Sequence, residues 1–284
     1  MIKSILVAGG DLRQTFLALS LKGEYDTYVY GIDECYFADT NTCKCNKKYD
    51  AAILPIPVSN DGETLFAPFY KDKISLSEIA SKIKEGGTIF GGKFGKAKEL
   101  FEKQGFETVD YLEREDFAVM NSLVTAEGAL QLAMEESPET IFGQKILITG
   151  FGRIAKALAR MLAAMGADVT VCARKKSDIV WAEIFGCKGK SFDILDKNTD
   201  FGIIFNTVPA EIFDRKRLSL INPDTLIIDL ASKPGGVDFV YASEQGIRTI
   251  WALSLPGKVA PVTSGEIIAR TVKNIIEERG EGNV

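Results

Sequence analysis

Residues 145–174 read KILITGFGRIAKALARMLAAMGADVTVCAR, and this stretch decides the fold. Ile146-Leu147-Ile148 is a short apolar run of the kind that forms a buried strand. Gly150-Phe151-Gly152-Arg153-Ile154-Ala155 follows as a G-x-G-x-x-A turn. Ile154, Leu158, Met161, Leu162 and Met165 then recur at helical spacing, and Gly166 ends the helix before a second strand over 167–171. Strand, glycine turn, helix and strand make a βαβ unit of the dinucleotide-binding kind.

Each small residue has a physical task. Gly150 permits the tight turn. Gly152 bares the backbone, so that a pyrophosphate can approach the helix N-terminus. Ala155 lets helix and strand pack closely. The competing reading is a βαβ unit with no ligand. The end of the second strand bears on which nucleotide is bound. An NAD site places Asp or Glu about twenty residues on, against the ribose 2′-hydroxyl. Here Ala173-Arg174-Lys175-Lys176-Ser177 stands instead, with no acid before Asp178. A 2′-phosphate suits a guanidinium with further donors beside it. Arg174, with Lys175 and Ser177, therefore points to NADP, against the plainer reading of a solvated basic loop.

The 284 residues suffice for two domains, and 46% hydrophobic with 26% charged residues is an ordinary globular balance. A net charge of −5 argues against a nucleic-acid partner. No run is apolar and long enough to span a bilayer. Met1-Ile2-Lys3-Ser4 leads directly into a strand without a signal peptide, so a cytoplasmic chain is expected. There is no histidine. That removes Ser-His-Asp and Cys-His nucleophiles, His metal sites and a His general base. The five cysteines read as reduced thiols. Cys35, Cys43 and Cys45 lie close together but lack Cys-x-x-Cys spacing, so no metal is expected.

Strands alternating with helices imply an α/β chain of two Rossmann-like domains with mostly parallel sheets. Strands are predicted over 4–10, 26–32, 49–57, 88–92 and 106–112, with helices over 11–21, 76–84 and 95–104. This first domain, 1–115, resembles a Rossmann fold and is assigned to substrate or partner. A long helix over 115–136 is predicted, and 116–138 is assigned as the linker. The nucleotide domain, 139–261, continues with strands over 202–208, 225–230 and 248–253. Its helices are predicted over 179–185, 215–220 and 239–245. A C-terminal helix over 264–278, within a final segment 262–284, is expected to pack back on the first domain.

In open parallel sheets ligands bind at the carboxyl ends of the strands. That rule selects the loops Asn206-Thr207-Val208-Pro209 and Ser232-Lys233-Pro234-Gly235-Gly236, which should flank the nicotinamide half of the cofactor, and Leu255-Pro256-Gly257-Lys258-Val259-Ala260-Pro261. In the first domain it selects Gly9-Gly10-Asp11 with Arg13-Gln14, Leu54-Pro55-Ile56-Pro57 and Gly91-Gly92-Lys93. A cation is disfavoured at a helix N-terminus, so Arg13 points to an anionic ligand more than to decoration. Asp11 could be a simple helix cap. Lys233 and Lys258 could be turn residues, and Asn121, Thr125 and Glu127 plain surface of the long helix. Glu127 could instead act as an acid or base.

Together these residues make the chain resemble the A subunits of dipicolinate synthase from spore-forming bacteria. The likeness runs the whole chain. It rests on Gly9-Gly10-Asp11 with Arg13-Gln14, on Asn121 with Thr125-Ala126-Glu127-Gly128, and on the glycine turn with Ala173-Arg174. It continues in Ser232-Lys233-Pro234-Gly235-Gly236-Val237-Asp238 and Leu255-Pro256-Gly257-Lys258-Val259-Ala260-Pro261. The cysteine cluster matches least. The resemblance implies oxidation of 4-hydroxy-tetrahydrodipicolinate, or of dihydrodipicolinate, to dipicolinate with NADP. It also implies the mother-cell cytoplasm of a sporulating bacterium as the setting and a separate, flavoprotein-like B subunit. A dicarboxylate needs cations, for which Arg13, Lys233 and Lys258 are the candidates, with Gln14, Asn121 and Thr125 as further substrate contacts. Lys258 or Glu127 is the candidate for proton transfer. The working assembly is expected to be a homo-oligomer. Two other readings stay open: a dehydrogenase or reductase of another small acid, and a non-catalytic protein that binds NADP and regulates its partner.

Overall fold

The computed structural model describes residues 2–33, 36, 41–43, 47–197 and 200–281. Cys35 and Cys45 lie outside them, and Cys43 is half-buried and takes a hydrogen bond from the Tyr49 hydroxyl at 3.5 Å. Among the described residues no group of three His, Cys, Asp or Glu side chains could hold a metal ion, and no helix is long and apolar enough to cross a membrane. The chain divides into two compact units, Met1–Asn121 with Ala260–Val284, and Ser122–Val259. The division falls inside the long helix α4 (Glu115–Glu136), which both units share.

The first unit is built on β1 (Ser4–Ala8), β2 (Asp26–Tyr30), β3 (Asn41–Thr42), β4 (Tyr49–Ile53), β5 (Ile83–Gly91) and β6 (Glu107–Asp110). All pair in parallel, in the order β3-β2-β1-β4-β5-β6. Every residue of β1 is buried, as expected of a parallel strand covered on both faces. On one face lie α2 (Leu76–Ser81) and α3 (Ala97–Lys103), closing a core that includes Leu6, Tyr28, Tyr49, Leu76, Ile79 and Phe101. On α1 (Leu12–Leu21), Leu17 and Leu21 are buried.

Helix α10 (Pro261–Glu281) returns to this unit and packs on α1. The approach is close because position 265 is glycine: a Cβ there would lie 2.5 Å from the Arg13 carbonyl oxygen and 2.7 Å from the Leu17 nitrogen. The start of α4 is tied to α10 by Arg114, which donates to both oxygens of Asp116 and to both of Glu278. Asn274 on α10 also donates to Asp116, at 3.2 Å.

The second unit carries β7 (Lys145–Thr149), β8 (Asp168–Cys172), β9 (Lys188–Lys190), β10 (Ile203–Asn206), β11 (Leu226–Asp229) and β12 (Arg248–Trp251). They are again all parallel, in the order β12-β11-β10-β7-β8-β9. Read from the other edge this is the strand order of the first unit. Ala126, Ala129 and Ala133 of α4 pack with α5 (Arg153–Ala164) and α6 (Lys176–Ile184) on one face. The opposite core includes Phe213, Leu218 and Ala242, from around α7 (Arg215–Leu218) and α8 (Phe239–Glu244).

The helix expected over 76–84 ends at Ser81, and β5 already begins at Ile83; three further features depart from the sequence reading. Strands β3 and β9 are absent from it, because Asn41-Thr42 and Lys188-Gly189-Lys190 carry no apolar alternation and are held by pairing alone. Strand β4 stops at Ile53, ahead of Pro55 and Pro57, neither of which can donate to a ladder. The expected loop around Lys258 is a short helix, α9 (Leu255–Val259), with Pro256 in its first turn, where a missing N–H costs nothing.

Two outcomes follow for stability. Gly265→Val should overpack the α1–α10 contact and lower the stability of the first unit by about 1–3 kcal/mol, read as a lower urea midpoint. The Arg114 guanidinium lowers the Asp116 pKa from 3.8 to about 2. A carboxylate held below its unfolded value stabilises above that value and stops doing so as pH falls through the folded one. The stability difference between the native chain and Asp116→Asn should therefore shrink between about pH 5 and pH 2.

Candidate functional site

In the second unit the strand order reverses between β7 and β10, and the loops leaving these strands meet at their carboxyl ends. Gly150 sits at the crossing with φ +86°; a Cβ there would lie 2.7 Å from Thr207 Oγ1 and 3.0 Å from Val208 Cγ2. Gly152 is different. Its φ is an ordinary −79°, and a Cβ built on it meets nothing within 4 Å. It is the N-cap of α5 and supplies no side-chain cap to that twelve-residue helix. Packing does not require glycine here, whereas an anion approaching the first-turn N–H groups does. Ala155 is fully buried in the core, Ile154 packs beside it, and Arg153 points to the exposed side. Phe151 is buried edge-on against Phe185, at 5.7 Å.

At the end of β8, Ala173 is buried and Arg174, Lys175 and Ser177 are exposed. Lys175 is the N-cap of α6 and, like Gly152, makes no side-chain cap bond. Two helix N-termini thus stand uncapped by side chains around one glycine turn.

At the ends of β7, β10 and β11 lies a polar web. Thr149 donates through its hydroxyl to Asn206 Oδ1 at 2.6 Å. Asn206 Nδ2 donates to Asp229 Oδ1 at 2.7 Å and to the Val208 carbonyl at 3.0 Å. The Val208 amide returns a bond to Asn206 Oδ1 at 3.0 Å. Asp229 also accepts from the Ala231 amide at 3.0 Å and the Gly236 amide at 2.7 Å. Thr149, Asn206 and Asp229 are all completely buried. Gly236 is required by this web, since a Cβ there would lie 2.1 Å from Asn206 Nδ2. Sequence reasoning names Asn206 only as part of its loop and misses Thr149 and Asp229; the only signal is a polar residue closing each apolar strand.

The web bears on the residues expected to touch a cofactor. Thr207 donates its hydroxyl to the Thr149 carbonyl at 2.7 Å, which leaves the oxygen as an acceptor only. Val208 has both its amide and its carbonyl engaged by Asn206, so its backbone is no free donor. Pro209, Ser232 and Lys233 are exposed. Lys258 is exposed on α9, and Glu127 is exposed on α4. The two helices touch where Gly128 would place a Cβ 3.0 Å from Leu255 Cβ and 3.1 Å from Val259 Cγ2. Glu127 and Lys258 form no ion pair among the described residues. Thr125 is buried and Asn121 half-buried on the same helix.

In the first unit the corresponding switch point lies between β1 and β4. Arg13 is buried there, 9% exposed. Its Nε and Nη2 each donate to Asp11 at 2.8 Å, and Nη2 also reaches the Ile56 carbonyl at 3.3 Å. Arg13 is therefore not a bare cation: Asp11, besides capping α1 through the Arg13 amide, takes one edge of its guanidinium. Gln14 is 1% exposed, donates to the Ile53 carbonyl at 3.3 Å, and buries Oε1 without a partner. Gly9-Gly10 is not a second phosphate turn. A Cβ on Gly9 would lie 2.6 Å from Leu65, one on Gly10 2.4 Å from Gln14, and the helix behind them is capped by an acid.

An open glycine turn, an uncapped α5 and a doubly wound parallel strand order make a dinucleotide-binding unit of the kind that oxidoreductases carry. The comparisons with known proteins agree with that class. Residues 116–234 match the family model for the D-isomer specific 2-hydroxyacid dehydrogenase, NAD binding domain, and residues 4–112 match that for the N-terminal domain of the dipicolinate synthase A subunit. The A subunit of dipicolinate synthase from Bacillus subtilis (strain 168) is 34% identical over 96% of each chain. The crystal structure of the Bacillus subtilis protein superposes with a TM-score of 0.86 at 32% identity, covering 98% of this chain and 97% of that one. That of its Bacillus halodurans counterpart superposes at 0.88 and 29%, covering 96% and 97%. The chain belongs to the family of dipicolinate synthase A subunits.

Two glycine substitutions separate ligand from packing. Gly152→Ala should keep stability within about 1 kcal/mol and weaken nucleotide binding. Gly236→Ala should lower stability by about 1–3 kcal/mol as well as binding. Paired urea melts and nucleotide titrations check both, and unchanged binding in Gly152→Ala would return that glycine to a structural role.

Proposed function

We propose that the chain is the dehydrogenase component that oxidises 4-hydroxy-tetrahydrodipicolinate, or the dihydrodipicolinate left after water loss, to dipicolinate with NADP as acceptor. The observation that carries the cofactor reading is the open, uncapped start of α5 at Gly152. The likeness to named A subunits over the whole chain supports the reaction. When bound, NADP supplies the hydride acceptor.

The chain's own residues have four tasks. Gly150, Gly152, Arg153 and Ile154 form the pyrophosphate turn. Arg174, Lys175 and Ser177 receive the 2′-phosphate at the exposed start of α6, ahead of Asp178, the first acid of that helix. Thr207, Val208, Pro209 and Ser232 wall the nicotinamide half, with Val208 shaping it through its side chain because its backbone is engaged. Arg13 offers the guanidinium edge that Asp11 leaves open to one substrate carboxylate, and Gln14, Asn121, Thr125 and Lys233 complete the substrate contacts. Lys258 or Glu127 takes the ring proton. Aromaticity of the product makes a modest base sufficient. A flavoprotein-like B subunit works with the chain, the assembly is a homo-oligomer, and the setting is the mother-cell cytoplasm.

The test supplies freshly made hydroxy-tetrahydrodipicolinate and NADP to the purified chain, with and without the B subunit, and follows NADPH and dipicolinate together. Both products in equal amount from the chain alone are expected. Product only with B present would mean a site completed by the partner. No product in either case would leave another small acid, or a regulatory role, as the reading. Arg174→Ala should raise KM for NADP about tenfold to a hundredfold while leaving that for NAD nearly unchanged. Equal effects on the two would remove Arg174 from the 2′-phosphate.

A further inference from the structure

We infer that the buried Asp229 carboxylate makes the nucleotide site favour the oxidised cofactor over the reduced one. The inference rests on the nucleotide reading above. Asp229 is the last residue of β11. A dinucleotide laid across the switch point places one nucleotide over each half of the sheet. With the adenosine end directed to Arg174 beyond β8, the nicotinamide half falls to the side of β10, β11 and β12, where Asp229 closes its strand.

The surroundings of Asp229 are those of an anion. Its oxygens accept from Asn206 Nδ2 and from the amides of Ala231 and Gly236, three donors in all. The Asn206 amide cannot turn to offer its oxygen instead. Its Oδ1 already accepts from the Thr149 hydroxyl and the Val208 amide, and its Nδ2 is also bound to the Val208 carbonyl. A carboxylate is acceptor-only, and this environment is donor-only.

No cation balances the charge. Among the described residues no Lys or Arg forms an ion pair with Asp229. Lys233, on the loop that follows, is exposed, so water screens it. Water is kept from Asp229 itself. Trp251 donates Nε1 to the Ala231 carbonyl at 2.9 Å and stacks on Phe239 at 5.4 Å. A Gly235 Cβ would sit 3.0 Å from Asp229 Oδ2 and 3.4 Å from the Trp251 ring, which leaves no room between them.

The oxidised nicotinamide ring carries a positive charge that the reduced ring lacks. An unbalanced negative charge walled off from water attracts the first and is indifferent to the second. At an effective dielectric of about 20, one unit charge acting over about 10 Å favours the cation by about tenfold. The three neutral donors disperse the charge without cancelling it. Asp229 thus binds the form that accepts hydride and loosens the form that leaves, a bias suited to a dehydrogenase working toward oxidation.

The experiment measures Kd for NADP+, NADPH and adenosine 2′,5′-bisphosphate on the full chain and on Asp229→Asn. The native chain should bind NADP+ several-fold more tightly than NADPH, and the variant should lose about tenfold in that ratio, mainly through NADP+. The bisphosphate, which has no nicotinamide, should bind both proteins alike. A ratio taken within one protein does not depend on the fraction folded, and a purely structural role would weaken both forms together. An unchanged ratio in Asp229→Asn overturns the inference. So does a native chain that binds NADPH as tightly as NADP+, which needs no variant at all. Bisphosphate binding with a flat ratio removes the charge argument alone, whereas failure of all three probes to bind removes the nucleotide reading beneath it.

Discussion

The second unit depends on a hydrogen-bonded web of three buried polar side chains. Thr149, Asn206 and Asp229 end three neighbouring strands, and each would be costly to bury alone. Together they satisfy one another and the amides that pass over them. Asn206 uses both its donors and both acceptor positions on its oxygen, which leaves it one orientation. Its bonds to the Val208 amide and carbonyl set the path of the chain leaving β10. Asp229, through the Ala231 and Gly236 amides, sets the path leaving β11. The loops leaving β10 and β11 are therefore held from beneath by strand ends as well as by their own contacts.

Much of this is legible in the sequence and some is not, for reasons that differ by residue. Helix α4 is legible to the residue, because it opens on Glu115-Asp116 and closes before Ser137-Pro138. The glycine turn declares itself through its context, and at Gly152 neither backbone strain nor packing excludes a side chain. The bonding role of Asn206, whose loop the strand-end rule selects, and that of Asp229 are hidden because their partners lie 57 and 23 residues away in the chain. Locally, a polar residue after an apolar strand looks the same whether it faces water or a buried amide. Strands β3 and β9 are hidden for a related reason: an edge strand borrows its conformation from its neighbour. Arg13 is recognisable but misjudged in isolation, since nothing in Asp11-Leu12-Arg13 says that the acid takes the guanidinium as well as the helix start.

The two units also show how one strand order serves two ends. Both turn from a first strand, through Gly9 and Gly10 in one unit and Gly150 in the other, all with positive φ, into a helix that crosses the sheet. In the first unit the glycines are forced by Leu65, Gln14 and Pro55, and Asp11 places a carboxylate on the helix start. A phosphate arriving there would meet like charge on amides already engaged. In the second unit Gly152 offers neither bulk nor acid, so the start of α5 keeps its partial positive charge for a ligand. The difference between the two helix starts is one side chain, carboxylate or hydrogen. Fold alone therefore says little about which unit holds the nucleotide; the identity of the capping residue decides it. Asp11 in turn frees the first unit for another task, because the acid that excludes phosphate also holds one edge of the Arg13 fork in place. Holding the fork along one edge fixes its plane and leaves less side-chain freedom to lose at the other edge.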